Sequence, residues 1–179
     1  MQDHNYDGTM NMLASLDVMI SYGQLVIYLP SIQHPGHLWS DDELDQGFAW
    51  SPGIVSLGVP EHAFICLVNI DVANDFKLAS NAISCLRVPF DIFETPVYVG
   101  SIYHYEAVKI KNGRYQLFYE VLPGQGTWEI YSNGKKDQGK YSYILNIVLV
   151  PGENDYFEIL KVGGSIHTDK FLSRLSNLG

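Results

Sequence analysis

The sequence predicts a mainly β protein, an antiparallel β-sandwich or partly open barrel, with one short helix near 40–47 and a candidate C-terminal helix. About eight apolar or alternating runs recur at short spacing, separated by turn signals such as Pro60-Glu61, Asn112-Gly113, Asn133-Gly134 and Pro151-Gly152. Twelve Tyr, eight Phe and three Trp suit a pleated, half-buried surface. At 179 residues the chain is of single-domain length. Its 17% charged residues fall below the usual ~25%, a composition that buries a core rather than staying disordered.

Residues 1–15 are polar and read as an N-terminal arm, and 16–179 as one β-rich domain. Leu16 to Leu29 is rich in β-branched residues and broken by Ser21-Tyr22-Gly23, which predicts one bulged strand or two short ones. Pro30, Pro35 and Gly36 place a loop over 31–38. Ser40-Asp41-Asp42-Glu43 then forms a capping-box pattern, with Trp39 and Leu44 spaced as a hydrophobic staple. Three carboxylates in the first turn complement the helix dipole, and Gly47 followed by Ser51-Pro52-Gly53 stops the helix.

Strands are expected at Ile54–Val59, His62–Val72 and Ala82–Phe90, where Pro89 argues for an edge or a strand end. Tyr98–Ile110 and Tyr115–Leu122 flank Lys111-Asn112-Gly113-Arg114, and Asn-Gly between alternating runs is a hairpin signal. In the second arm Tyr115, Leu117, Tyr119 and Val121 share one face, with Gln116 and Glu120 on the other. A second hairpin runs from Trp128–Tyr131 through Ser132-Asn133-Gly134 and a polar loop to Tyr141–Val150. Tyr156–Val162 fits a strand or a short helix, and Thr168-Asp169 caps a candidate helix over Lys170–Leu175.

The net charge of −9 disfavours direct nucleic-acid binding, which needs Lys and Arg against phosphate, and favours a basic partner. Cys66 and Cys85, each in an apolar run, read as buried free thiols. The N-terminus lacks a basic and then apolar signal-peptide pattern, and no apolar run reaches ~18–20 residues. The expected location is cytoplasmic, without membrane insertion.

No nucleophile elbow, phosphate-binding glycine loop or metalloprotease helix is present. His34-Pro35-Gly36-His37 has the spacing of two zinc ligands but no third donor nearby, and reads as two exposed loop histidines. His104 and Glu106 share a strand face as an ordinary solvated pair, and Gly163-Gly164-Ser165 before His167 reads as a loop. The expectation is a non-enzyme without catalytic residues, cofactor or metal. Asp41, Asp42, Glu43 and Asp45 put four carboxylates in five positions, flanked by Trp39, Phe48 and Trp50. Carboxylates beside aromatic anchors have the composition of an interface facing a basic surface. The predicted partner-binding site is the six residues Trp39, Asp41, Asp42, Glu43, Asp45 and Trp50. Tyr98, Tyr103 and Tyr105 form a second candidate surface, for a partner or a sugar.

Ile20-Ser21-Tyr22-x-Gln24, Trp39-Ser40-Asp41, Gly47-Phe48-Ala49, Gly53-Ile54-Val55-Ser56, Val88-Pro89-Phe90 and Gly113-Arg114-Tyr115-Gln116-Leu117 follow one another in an order that resembles the competence protein J family. The resemblance spans a core of about 16–150, leaving 151–179 as a C-terminal extension. It implies a non-catalytic inhibitor that binds and blocks a bacterial DNA-entry nuclease, and the N-terminal arm and C-terminal extension, by which the chain departs from the family, suit an immunity protein against a toxin nuclease as well. The expected cytoplasmic location then extends to a membrane reached through the partner. The alternative is a carbohydrate-binding or adhesion module on the same scaffold.

Overall fold

The computed structural model describes residues 11–173, 175, 177 and 178, so the first ten residues of the expected arm lie outside the described residues. Fifteen strands and one helix, numbered in chain order, occur among them. One sheet has six strands in the order β1 (Asn11–Met19), β6 (Ile65–Val72), β13 (Tyr143–Pro151), β10 (Gly113–Pro123), β7 (Ser84–Ile92), β14 (Glu158–Lys161). The other has five, in the order β4 (Phe48–Ser51), β5 (Ile54–Gly58), β2 (Gln24–Tyr28), β8 (Val97–Ser101), β9 (His104–Val108). Every pairing in these sheets is antiparallel except β6 with β13, which runs parallel from Leu67↔Ile144 to Val72↔Leu149. Two small ribbons complete the fold: β11 (Thr127–Ser132) with β12 (Lys135–Lys140), and β3 (His37–Leu38) with β15 (Asn177–Leu178).

The core lies between the two large sheets. Leu25 and Ile27 of β2, Val55 and Leu57 of β5 and Phe48 of β4 belong to one buried cluster with Val88, Leu117 and Ile147. Alternation decides which residues enter it: Tyr115, Leu117, Tyr119 and Val121 are all core, as the period of two predicts. Gln116 and Glu120, on the other face, are buried too. Segment 73–83 covers Glu120, with the Phe76 ring stacked on Phe118 at 4.3 Å and the Ala79 N–H donating to Glu120 Oε2 at 2.8 Å, while Gln116 donates its side-chain amide to the Asn154 carbonyl. Hydrogen bonds tie the sheets together. Tyr119 donates its hydroxyl to the Gly58 carbonyl at 2.9 Å, and Trp50 Nε1 donates to the Pro89 carbonyl at 2.8 Å. Cys66 and Cys85 are buried free thiols, and burial pushes the Cys66 thiol up to about 11.

Leu16–Leu29 forms two strands, the second of the two expected readings, and they lie in different sheets. Several other local expectations are corrected. Residues 11–15, assigned to the arm, are the first part of β1. Asn112-Gly113 is not a hairpin turn: β9 and β10 belong to different sheets, and Gly113 lacks the positive φ of a type I′ turn. Asn112 instead donates its side-chain amide to the Phe93 carbonyl. The run Tyr98–Ile110 folds back on itself as β8–β9 around Tyr103, which takes φ 84°. Asn133-Gly134 makes the expected turn, with φ 50° and 73°, but its second arm is β12, built from the segment read as a polar loop. Pro89 lies within β7, yet β14 pairs only with Cys85–Arg87, so the proline stands where β7 has an open edge.

The candidate C-terminal helix is not formed by its described residues. Residues 168–173 are irregular, and the chain ends by pairing Asn177–Leu178 with His37–Leu38. Tertiary contacts override helix propensity here. The Phe171 ring stacks on Phe157 at 4.9 Å and on Phe48 at 6.2 Å. The wholly buried Gln46 amide also clamps the backbone: its oxygen accepts from the Leu172 and Ser173 N–H groups, and its nitrogen donates to the Ser173 carbonyl.

Candidate functional site

The helix α1 (Asp41–Gln46) forms where its caps dictate. Ser40 Oγ accepts from the Glu43 N–H at 3.4 Å, and Glu43 Oε2 accepts from the Ser40 N–H at 2.7 Å, closing the box. Gly47 ends it in the left-handed region at φ 80°, donating its N–H to the Glu43 carbonyl. A Cβ at Gly47 would lie 2.7 Å from Ile166 Cγ1, so the position excludes side chains on packing grounds as well.

Capping decides which acidic residues face outward. Asp41, Asp42 and Asp45 are exposed, whereas Glu43 is only 3% exposed and is bound into the cap. Trp39 is half-buried, its Nε1 donating to Gln24 Oε1 at 3.3 Å. Leu44 stays 54% exposed, so the expected staple with Trp39 leaves an open apolar face. Trp50 sits apart from this group. It meets the Phe157 ring edge-on at 5.1 Å, bonds to Pro89, and lines a separate pocket of about 250 Å³ with Phe93 and Arg114. Of the six predicted residues, the fold therefore gathers Trp39, Asp41, Asp42 and Asp45 around α1 and commits Glu43 and Trp50 to internal bonds.

Beside α1 lies a groove of about 910 Å³ that sequence reading missed. Trp39 and Leu44 form part of its lining, with Tyr22, Tyr143 and Val59-Pro60-Glu61 contributing other parts. Gly164, Ser165 and His167, from the C-terminal extension, complete it. Backbone bonds fix these segments: Val59 N–H to the Gly23 carbonyl at 2.8 Å, Gly58 N–H to the Gly47 carbonyl at 2.8 Å, and His167 N–H to the Asp45 carbonyl at 2.7 Å. Ser165 Oγ donates to the Gly58 carbonyl at 2.8 Å, which makes the serine a wall and not an activated nucleophile. The groove joins five separate stretches of chain, so no local motif announced it.

The remaining candidates resolve individually. His34 is exposed, but His37, expected to be exposed as well, is only 8% exposed. Its ring nitrogens meet Ser56 Oγ at 2.7 Å and Ser51 Oγ at 3.1 Å, so the two histidines do not form a chelating pair. Burial holds the His37 imidazole down at about 4, with Glu43 opposing the shift. His104 Nε2 and Glu106 Oε1 lie 3.5 Å apart, both exposed. Among the described residues no group of three His, Cys, Asp or Glu is placed to hold a metal ion. No helix among them is long and apolar enough to cross a membrane.

The tyrosine surface is partly packing. Tyr98 stacks on Tyr28 at 5.2 Å, and Tyr105 meets Tyr28 edge-on at 4.9 Å. Burial raises the Tyr28 and Tyr105 hydroxyls above the ordinary value. Tyr103 is exposed and its hydroxyl lies 3.3 Å from that of Tyr22, which extends the aromatic surface to the groove.

Comparison with known proteins places this geometry in context. The profile of the competence protein J (ComJ) family matches residues 17–148. The fold is similar to the crystal structure of ComJ from Bacillus subtilis, described as an inhibitor of the DNA-degrading activity of NucA. The TM-score is 0.60 at 19% identity, over 79% of this chain and 99% of that one. No curated protein sequence matches.

Proposed function

The chain belongs to the competence protein J family, and on that premise we propose that it is a non-catalytic inhibitor that binds a bacterial nuclease and blocks its access to nucleic acid. The observation that carries this reading is the family match together with a fold shared with an inhibitor of NucA. The charge supports it. A nuclease that grips nucleic acid presents a basic cleft, and a protein of net charge −9 competes with phosphate there. Occlusion of the cleft asks for no chemistry from the inhibitor. The contact face we assign is Trp39 with the exposed carboxylates Asp41, Asp42 and Asp45. The same mechanism serves a cytoplasmic immunity protein against a toxin nuclease and a regulator of DNA entry.

The test is a DNA-cleavage assay with purified NucA of Bacillus subtilis, alongside affinity purification of this protein from its native cells. Suppression of cleavage at near-equimolar ratio, or recovery of a nuclease in equal amount, is the expected result. No suppression and no co-purifying nuclease would remove the reading.

A further inference from the structure

We infer that the groove beside α1 is a receptor for an arginine side chain of the partner, its guanidinium stacked on the aromatic lining and paired with Glu61. For the partner's identity this rests on the inhibitor reading; for the chemistry of the groove it rests on the lining itself. Among the described residues no lysine or arginine lines the groove, and the one carboxylate in that lining, Glu61, is exposed. The one imidazole in the lining, His167, has Nδ1 3.9 Å from Asp45 Oδ1. An anionic occupant would meet the Glu61 carboxylate as a like charge, with no lysine or arginine among the described lining residues to offset it. An apolar occupant would strip water from the Glu61 carboxylate and leave it unpaired, which is costly.

A guanidinium avoids both penalties. It is planar, weakly hydrated, stacks on aromatic faces and pairs with carboxylates. Its three methylenes fit against Leu44, Val59 and Pro60, as long charged side chains do along apolar surface. Exposed Asp41 and Asp42, in the adjacent first turn of α1, add attraction of the same sign at the approach. The walls are formed in advance. A Cβ at Gly164 would stand 2.9 Å from Pro60 Cγ, and the Gly58 carbonyl accepts from both Tyr119 and Ser165. A rigid receptor loses little entropy on binding.

The probe is the blocked tripeptide acetyl-Gly-Arg-Gly-amide, titrated into the ¹⁵N-labelled full chain, with the neutral citrulline peptide as its isostere. Saturable shifts of the Trp39 indole N–H and the Gly164 and Ser165 amides are expected. Citrulline should give none, and Glu61→Gln should weaken the response at least fivefold. Glu61 is exposed, so that variant keeps the fold. Shifts confined to Asp41 and Asp42, or equal responses to arginine and citrulline, would overturn the inference. The nuclease assay separates the two readings. If the wild-type chain inhibits NucA and Glu61→Gln and Leu44→Arg inhibit as well, the groove inference falls alone. If arginine binds the groove but no nuclease is inhibited, the inhibitor reading falls alone.

Discussion

Glu43 and its neighbours differ by one turn of chain and by everything in their surroundings. The Glu43 carboxylate receives the Ser40 N–H at 2.7 Å and is buried, while Asp41 and Asp42, between those two residues, stay in water. Glu43→Ala is expected to cost about 1 kcal/mol through loss of the cap. Asp41→Ala and Asp42→Ala should stay within about 0.5 kcal/mol of the parent, as surface changes do. Urea unfolding of the three variants measures the contrast, and equal losses at all three positions would contradict it. His37 supplies a second residue-level outcome. Its folded value of about 4 lies below the ordinary 6.5, so between those pH values the unfolded chain binds more protons than the folded one. Its contribution to stability is therefore full above about pH 6.5 and lost as the pH falls toward 4. His37→Gln, which keeps a hydrogen-bonding side chain between Ser51 and Ser56, should flatten the fall in urea midpoint between pH 7 and pH 5 relative to the parent.

At the scale of elements, the C-terminal extension owes its course to one amide. Gln46 bonds Leu172 and Ser173 through both ends of its side chain, and Phe171 seats on Phe48 and Phe157. Gln46→Ala leaves backbone groups of that clasp without partners, at about 1–3 kcal/mol for each buried group. The Leu172 and Ser173 amides should then exchange with solvent at least tenfold faster while the β10 and β13 amides keep their protection. Uniform loss of protection would instead mean that Gln46 supports the whole domain. The same region shows why some elements were legible and others were not. The α1 caps and the Tyr115–Val121 alternation are local patterns whose physics is complete within a few residues, and both formed as read. The irregular course of 168–173 depends on Gln46 and Phe48, more than a hundred residues away, so local propensity pointed to a helix that the described residues do not form. The β8–β9 turn carries Tyr103 at φ 84° with no Gly, Asn or Pro to mark it. The groove draws on five stretches of chain, whereas the acidic first turn of its neighbouring helix was visible because it is contiguous.

For the whole molecule the governing quantity is the excess of 20 acidic over 11 basic residues. Spread over the surface, that excess produces a field that reaches a Debye length, about 10 Å at 0.1 M salt. A basic partner is drawn in before any side chain touches, so the field acts on the association rate and much less on dissociation. The exposed trio Asp41, Asp42 and Asp45 concentrates the field at one end of the groove, while the buried Glu43 is bound into the cap. Reversing the three exposed charges with lysine changes the net charge from −9 to −3, since each substitution adds two positive charges. Because none of the three side chains is buried, folding should survive, as circular dichroism would record. Association with a basic nuclease, followed by stopped-flow fluorescence, should be about 10-fold or more slower than for the parent at 50 mM salt. At 500 mM salt the two proteins should converge, because screening removes the long-range term for both. A variant whose deficit persists at high salt, carried by faster dissociation, would place these carboxylates in direct desolvated contact instead of in the steering field. A variant with the parent's rate at both salts would move the contact face away from α1 altogether.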